Sequence, residues 1–179
     1  MKNLIKTNLK IGLDLDDTCN FWMSEYLKLF PKDTQDSKIT KNVRKLCYKK
    51  EWWLNLPIKH RPDFEVELFC TKRISPKQYS YQWLKGNDFP IAPIYQVLYQ
   101  KDKKSRFIKG RVDCFIDDSI SNCIELNQAG IPCLLMDSPY NQSYGPIGRV
   151  FSLDYEEIMD TYEMFMYDVF KDYKDFILS

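Results

Sequence analysis

The sequence predicts an α/β fold: a three-layer sandwich with a mostly parallel sheet and a small helical cap inserted after the first strand. Three observations carry this expectation. Short apolar runs alternate with segments of helical length along most of the chain, as a parallel sheet covered on both faces requires. Acids or hydroxyls stand where several of the apolar runs end. One polar, lysine-rich stretch with an aromatic cluster breaks the alternation directly after the first run.

The elements follow in order. Residues 10–15 are a short apolar run ending in acids, which reads as a buried strand with a loop at its C-terminal end. Residues 19–30 suit a helix, and the lysine-rich segment 31–50 leads to Trp52-Trp53. The stretch 19–62 is therefore expected to be the cap, and residues 1–18 and 63–179 the core. Residues 64–70 alternate apolar and acidic side chains before turning apolar, predicting a second strand that ends at Thr71. Ser75-Pro76 predicts a capped helix start, and Gly86-Asn87 its stop. Strands are expected at 94–98, 112–116 and 132–136, with a sixth over 150–153. Helices are expected over 119–128, closed by Gly130, and after Asp154, which can cap the last one. In that last helix Ile158, Tyr162, Phe165, Met166, Val169, Phe170 and Tyr173 recur at helical spacing. Such a stripe packs on the sheet or, alternatively, forms a homodimer contact.

Composition narrows the function. The formal net charge is +1, and no dense basic track is evident, so nothing points to nucleic acid or to a membrane surface. No apolar run is long enough to span a bilayer or to act as a secretory signal, which makes a cytoplasmic location the expectation. Six scattered cysteines without a CxxC pair argue against a zinc site. Cys70, Cys114 and Cys133 sit in apolar runs and read as small core residues. His60 is the one histidine, so carboxylates and lysines are the available catalytic supply.

The chemistry concentrates in Asp14-Leu15-Asp16-Asp17-Thr18, where the chain leaves the first strand. Asp14 can present a carboxylate at the strand end, and Asp16 can reach over the same site. One can act as nucleophile while the other manages protons. Thr18 can tie the loop down through its hydroxyl. A second buried strand ends in Asp117-Asp118. Asp14 with either of these acids would make a hard oxygen site suited to Mg2+. Carboxylates brought so close need a cation or a proton between them.

These residues resemble the haloacid dehalogenase-like (HAD) phosphatase superfamily, whose core is a Rossmann-like sandwich. Its Asp-x-Asp-x-Thr motif is met by Asp14–Thr18, its strand-end Ser or Thr by Thr71, and its terminal acidic pair by Asp117-Asp118. Within it, Leu13 to Trp22 and the tail from Pro139-Tyr140-Asn141 to Arg149 resemble the 5′(3′)-deoxyribonucleotidase group. The resemblance implies that Asp14 is the nucleophile and Asp16 the general acid/base. It implies Mg2+ held by Asp14, the backbone carbonyl of Asp16, and one of Asp117 and Asp118. It implies Thr71 on the phosphoryl oxygens and a lysine nearby. Lys101, Lys103, Lys104 and Lys109 all precede the acidic pair. Lys104-Ser105 resembles the family's Lys-Ser/Thr and makes Lys104 the expected residue, with Lys103 and Lys109 as alternatives.

Recognition of the rest of the substrate falls to the aromatics Phe21, Trp22, Trp52 and Trp53, which either stack on a nucleobase or form the core of the cap. Phe21 and Trp22 are the best placed. Lys72 and Arg73 follow Thr71 and can pair with phosphate or flank the pocket. The expected activity is Mg2+-dependent hydrolysis of (deoxy)nucleoside monophosphates through a phospho-aspartate on Asp14. The alternatives are a phosphatase for another substrate, such as a polynucleotide 3′-phosphate end, and a non-catalytic nucleotide-binding protein.

Overall fold

The computed structural model describes residues 4–33, 39–97, 102–143 and 148–167. Six short strands form one all-parallel sheet: β1 (Ile11–Leu13), β2 (Leu68–Lys72), β3 (Ile94–Val97), β4 (Cys114–Asp117), β5 (Cys133–Met136) and β6 (Arg149–Val150). Their order is β3-β2-β1-β4-β5-β6. The chain therefore builds outward from β1 on one side, then crosses back and builds outward on the other. The order reverses between β1 and β4, and in open α/β sheets the crevice beyond the strand carboxyl ends at that point is where ligands bind.

The strands read as apolar runs because both faces of the sheet are covered. Side chains alternate between two buried clusters. Ile11, Leu13, Phe69, Ile94, Ile116, Leu134 and Met136 belong to one. Leu68, Cys70, Val97, Phe115, Cys133 and Leu135 belong to the other. Gly12 is required by packing, since a Cβ there would lie 2.7 Å from the Phe115 ring.

Seven helices complete the described fold: α1 (Trp22–Leu29), α2 (Ile39–Leu46), α3 (Lys50–Leu54), α4 (Lys77–Gly86), α5 (Ser105–Ile108), α6 (Ile120–Gln128) and α7 (Tyr155–Phe165). Helices α5 and α6 contribute Ile108, Cys123 and Leu126 to the second cluster. Helix α7 contributes Ile158 and Phe165 to the first, with Tyr162 and Met166 packed against it. Val169, Phe170 and Tyr173 lie outside the described residues. The segment 19–62 holds α1, α2 and α3, and its buried Trp22, Tyr26, Leu46, Trp53 and Leu56 join the first sheet cluster continuously.

Several boundaries differ from the sequence expectation, each for a local reason. Helix α1 starts at Trp22, not at residue 19, because Cys19 and Asn20 still donate their backbone N–H groups to the Leu15 carbonyl. The β2 ladder begins at Leu68, not at residue 64. Phe64 and Val66 are buried while Glu65 and Glu67 are exposed, but of these four only Phe64 makes a strand bridge, to Ile5. The cap position of α4 is Pro76 rather than Ser75, and no side chain caps that helix. Strand β6 stops at Val150, where the expected strand ran to 153. Asp154 does cap α7, accepting from the N–H groups of Glu156 and Glu157, and Gly130 takes a φ of +80° after α6. All six cysteines are free thiols. Among the described residues no helix is long and apolar enough to cross a membrane.

Candidate functional site

Asp14 follows β1, and its N–H still donates to the Ile116 carbonyl at 2.9 Å, which holds it beside the end of β4. Asp117 is the last residue of β4, and Asp118 follows it. The paired strands thus deliver three carboxylates to one place, with oxygens of Asp14, Asp117 and Asp118 all within 4.8 Å of one another. All three are buried, and this hard-oxygen cluster could hold a metal ion.

Among the described residues the neutralising cation is Lys104. Its ammonium donates to Asp14 Oδ1 and to Asp117 Oδ2, both at 2.6 Å, and the residue is only 1% exposed. Burial opposes its charge, yet Asp117 and Asp14 together hold its pKa well above the usual lysine range. Burial pushes Asp14 well above the usual carboxylate range; Lys104 opposes this, and Asp117 and Asp118 add to it. Asp118 is raised the same way, by burial first and then by Asp117 and Asp17, against the hydrogen bond from Tyr140. These are the expected signs for carboxylates crowded together away from water.

The three acids differ in what holds them. Asp117 Oδ1 accepts from the Ser119 N–H at 2.9 Å and from Asn122 Nδ2 at 3.1 Å, which fixes its carboxylate plane. Asp118 accepts from the Tyr140 hydroxyl and, at 3.4 Å, from Thr18 Oγ1. Thr18 thereby ties the loop after β1 to the end of β4. Asn141 Nδ2 supports the same corner through the carbonyls of Asp118 at 2.9 Å and Met136 at 2.8 Å. Arg149 in turn donates to Asn141 Oδ1 at 2.7 Å and to Asp137 at 2.8 Å. The tail whose sequence pattern stood out is thus a polar brace for Asp118.

Asp16 is placed differently. Its carboxylate is not part of the three-acid cluster. Both of its oxygens are taken by Arg73, with Nε to Oδ2 at 2.7 Å and the terminal nitrogen to Oδ1. Arg73 is 3% exposed, donates to Ser80 Oγ at 2.9 Å, and lies 5.0 Å over the Trp53 ring. Arg73, expected to pair with phosphate or flank the pocket, forms a bidentate pair with Asp16.

Thr71 sits at the C-terminal end of β2, next to β1, and is fully buried. Its Oγ1 has no hydrogen-bond partner among the described residues. A buried unpaired hydroxyl costs about 1–3 kcal/mol, so a ligand oxygen at this point would recover that cost. Lys72 beside it is half-buried, and burial, then Lys104, lowers its pKa.

The aromatic candidates separate by exposure. Trp22 is 9% exposed and lies flat on Tyr26, ring centroids 5.1 Å apart, and nearly perpendicular to Trp52 at an interplanar angle of 84°. Trp53 is 1% exposed and donates its indole N–H to the Leu46 carbonyl. Phe21 alone of the favoured pair presents its ring to solvent, at 41% exposure.

Lys59 was not foreseen. Its ammonium donates to the carbonyls of Asp17 at 2.7 Å and Asp137 at 2.8 Å and to Ser138 Oγ at 2.9 Å. It fastens the loop after β1 to the loop after β5. Asp17, at φ +56°, caps the start of α1 through the Met23 N–H, and burial pushes its pKa up to about 7. Nothing in the local sequence marks Lys59, since its nearest partner in sequence lies 42 residues away. No protein-family model matches the chain, and no curated protein is significantly similar to it.

Proposed function

We propose that the chain is a Mg2+-dependent phosphatase that hydrolyses (deoxy)nucleoside monophosphates through a phospho-aspartate on Asp14. The observation that carries this reading is the pairing of the Asp14–Asp117–Asp118 cluster with the unpartnered hydroxyl of Thr71 on the adjacent strand, at the point where the strand order reverses. Three buried acids suit a hard divalent ion, and the orphan hydroxyl suits a phosphoryl oxygen. By the resemblance, Mg2+ would be held by Asp14, Asp117 or Asp118, and the backbone carbonyl of Asp16. When bound it would supply positive charge against the phosphoryl oxygens.

The chain's own residues do the rest. A carboxylate oxygen of Asp14 attacks phosphorus, the ester P–O bond breaks, and the nucleoside oxygen takes a proton from Asp16. Water, giving its proton back to Asp16, then releases phosphate from Asp14. Lys104, bonded to Asp14 at 2.6 Å, orients the nucleophile and offsets charge on the transferring group. Thr71 Oγ1 donates to a phosphoryl oxygen. Proton transfer through Asp16 requires one of its two bonds to Arg73 to open.

The test is phosphate release with and without Mg2+, measured on deoxymononucleotides beside a 3′-phosphorylated oligonucleotide. Release from the mononucleotides, lost reversibly on chelation, is expected. Asp14→Asn should abolish it, and activity within about tenfold of wild type, a barrier change near 1.4 kcal/mol, would rule out the covalent route. Preference for the oligonucleotide would move the assignment to polynucleotide ends.

A further inference from the structure

Lys59 stands where the segment 19–62 returns to the core, and its backbone is fixed as firmly as its side chain. The two crossing segments run side by side. The Phe21 N–H donates to the Pro57 carbonyl at 3.0 Å, the Lys59 N–H to the Cys19 carbonyl at 2.8 Å, and Asn20 and Ile58 form an antiparallel bridge. Lys59 is thereby pinned next to the loop that carries Asp14 to Thr18. An ammonium has three N–H donors. Here they meet three acceptors, the Asp17 carbonyl, the Asp137 carbonyl and Ser138 Oγ, at 2.7, 2.8 and 2.9 Å. A flexible four-carbon stem whose donors are all taken acts as a strut rather than as a solvated charge.

Both anchor points lead to Asp118. The Asp17 carbonyl belongs to the planar peptide that ends on the Thr18 nitrogen, so holding that oxygen fixes the plane from which Thr18 departs. Thr18 Oγ1 in turn donates to Asp118 Oδ1 at 3.4 Å. A hold is needed at this point, because Asp17 takes φ +56°, a left-handed conformation that a residue with a Cβ resists. On the other side, the Ser138 N–H donates to Asn141 Oδ1 at 3.1 Å, and Asn141 Nδ2 to the Asp118 carbonyl at 2.9 Å. Asp117 has its own supports in Ser119, Asn122 and Lys104.

We propose that Lys59 is a positioning residue of the metal centre: it clamps the loops after β1 and β5 together so that the Asp118 carboxylate stays within reach of a cation shared with Asp14. This rests on the reading of the three-acid cluster as a Mg2+ site. The competing role for a lysine here is charge alone. Burial disfavours its ammonium, and Asp118 is the first of the groups that favour it. The two roles predict opposite signs. A cation near the cluster repels Mg2+, so removing its charge alone tightens metal binding. Removing a hydrogen-bonded support of a metal ligand weakens binding, by about ten- to hundredfold.

The experiment titrates magnesium chloride into the full chain by calorimetry, at a temperature where near-UV circular dichroism shows each protein folded. Lys59→Met keeps the length of the side chain and removes its donors and its charge. Its Mg2+ affinity should fall at least about tenfold below that of wild type. Ser138→Ala removes one acceptor and no charge, and should weaken Mg2+ binding about threefold. A merely structural role would lower the urea midpoint of either variant without changing the Mg2+ affinity of the folded protein. Unchanged or tighter binding by Lys59→Met overturns the proposal and leaves the metal site in place. If that variant does not fold, the same result in Ser138→Ala overturns it. A wild-type chain that takes up no Mg2+ overturns the metal site, and this role of Lys59 with it.

Discussion

Replacing Lys104 by Met tests the electrostatics on which the site is built. Met is of similar length and apolar, so it keeps the packing against the Phe115 ring, which now lies 5.3 Å from the ammonium. What it removes is the cation bonded at 2.6 Å to both Asp14 and Asp117, in a position 1% exposed. Breaking a buried pair by deleting one partner costs about 3–5 kcal/mol, because the surviving charge stays buried without compensation. For a chain of this length, each kcal/mol moves Tm by about 2–4 °C, so a fall of roughly 6–20 °C is expected at pH 7 in the absence of metal. The pH dependence carries the argument further. Lys104 is the largest influence holding the Asp14 pKa down, so its loss raises a carboxyl that burial already raises. The folded variant then takes up a proton that the unfolded chain releases, and its deficit should shrink as pH falls from 7 to 5. Urea unfolding of both proteins at the two pH values, in chelator, measures this. A loss below about 1 kcal/mol at pH 7, or an equal loss at both pH values, would refute the claim that this ammonium neutralises the cluster.

Three other outcomes are expected. Thr71→Val, which swaps an unpaired buried hydroxyl for a methyl of the same shape, should leave stability unchanged or raise it by up to about 1–3 kcal/mol in urea unfolding, while KM for nucleotides rises about tenfold. Changing both Asp117 and Asp118 to Asn should weaken Mg2+ binding at least tenfold by calorimetry, and unchanged affinity would remove these acids from the metal site. The Asp17 carboxyl, raised to about 7 when folded, contributes stability that is fully present below about pH 4 and is lost as pH rises through 7. Asp17→Asn should therefore flatten the fall in metal-free stability between pH 5 and 8, because His60, whose charged form burial disfavours, acts in the opposite sense and is common to both proteins.

By itself the sequence determined the parallel sheet and the acids and hydroxyl that stand at its strand ends. Strands buried on both faces must be apolar throughout, so β1, β2, β4 and β5 are visible as runs, and the residues that end them are visible as acids or hydroxyls. Asp14, Thr71, Asp117 and Asp118 were legible for that reason. Lys104 was legible from its serine neighbour, although three other lysines precede the same acids. Tertiary structure decided how the polar groups divide among partners. Asp16 and Arg73 are 57 residues apart in sequence, and Lys59 reaches Ser138 across 79. Each pairing depends on which strands lie side by side, and the apolar periodicity that reveals a strand carries no information on strand order. The same holds for what is left unpaired. A serine before a proline predicts a helix cap from local propensity, yet the Ser75 hydroxyl caps nothing, and its backbone carbonyl accepts from the Gln96 amide on the neighbouring strand. Local sequence biases each group toward a conformation, but only the folded neighbourhood supplies or withholds its partner.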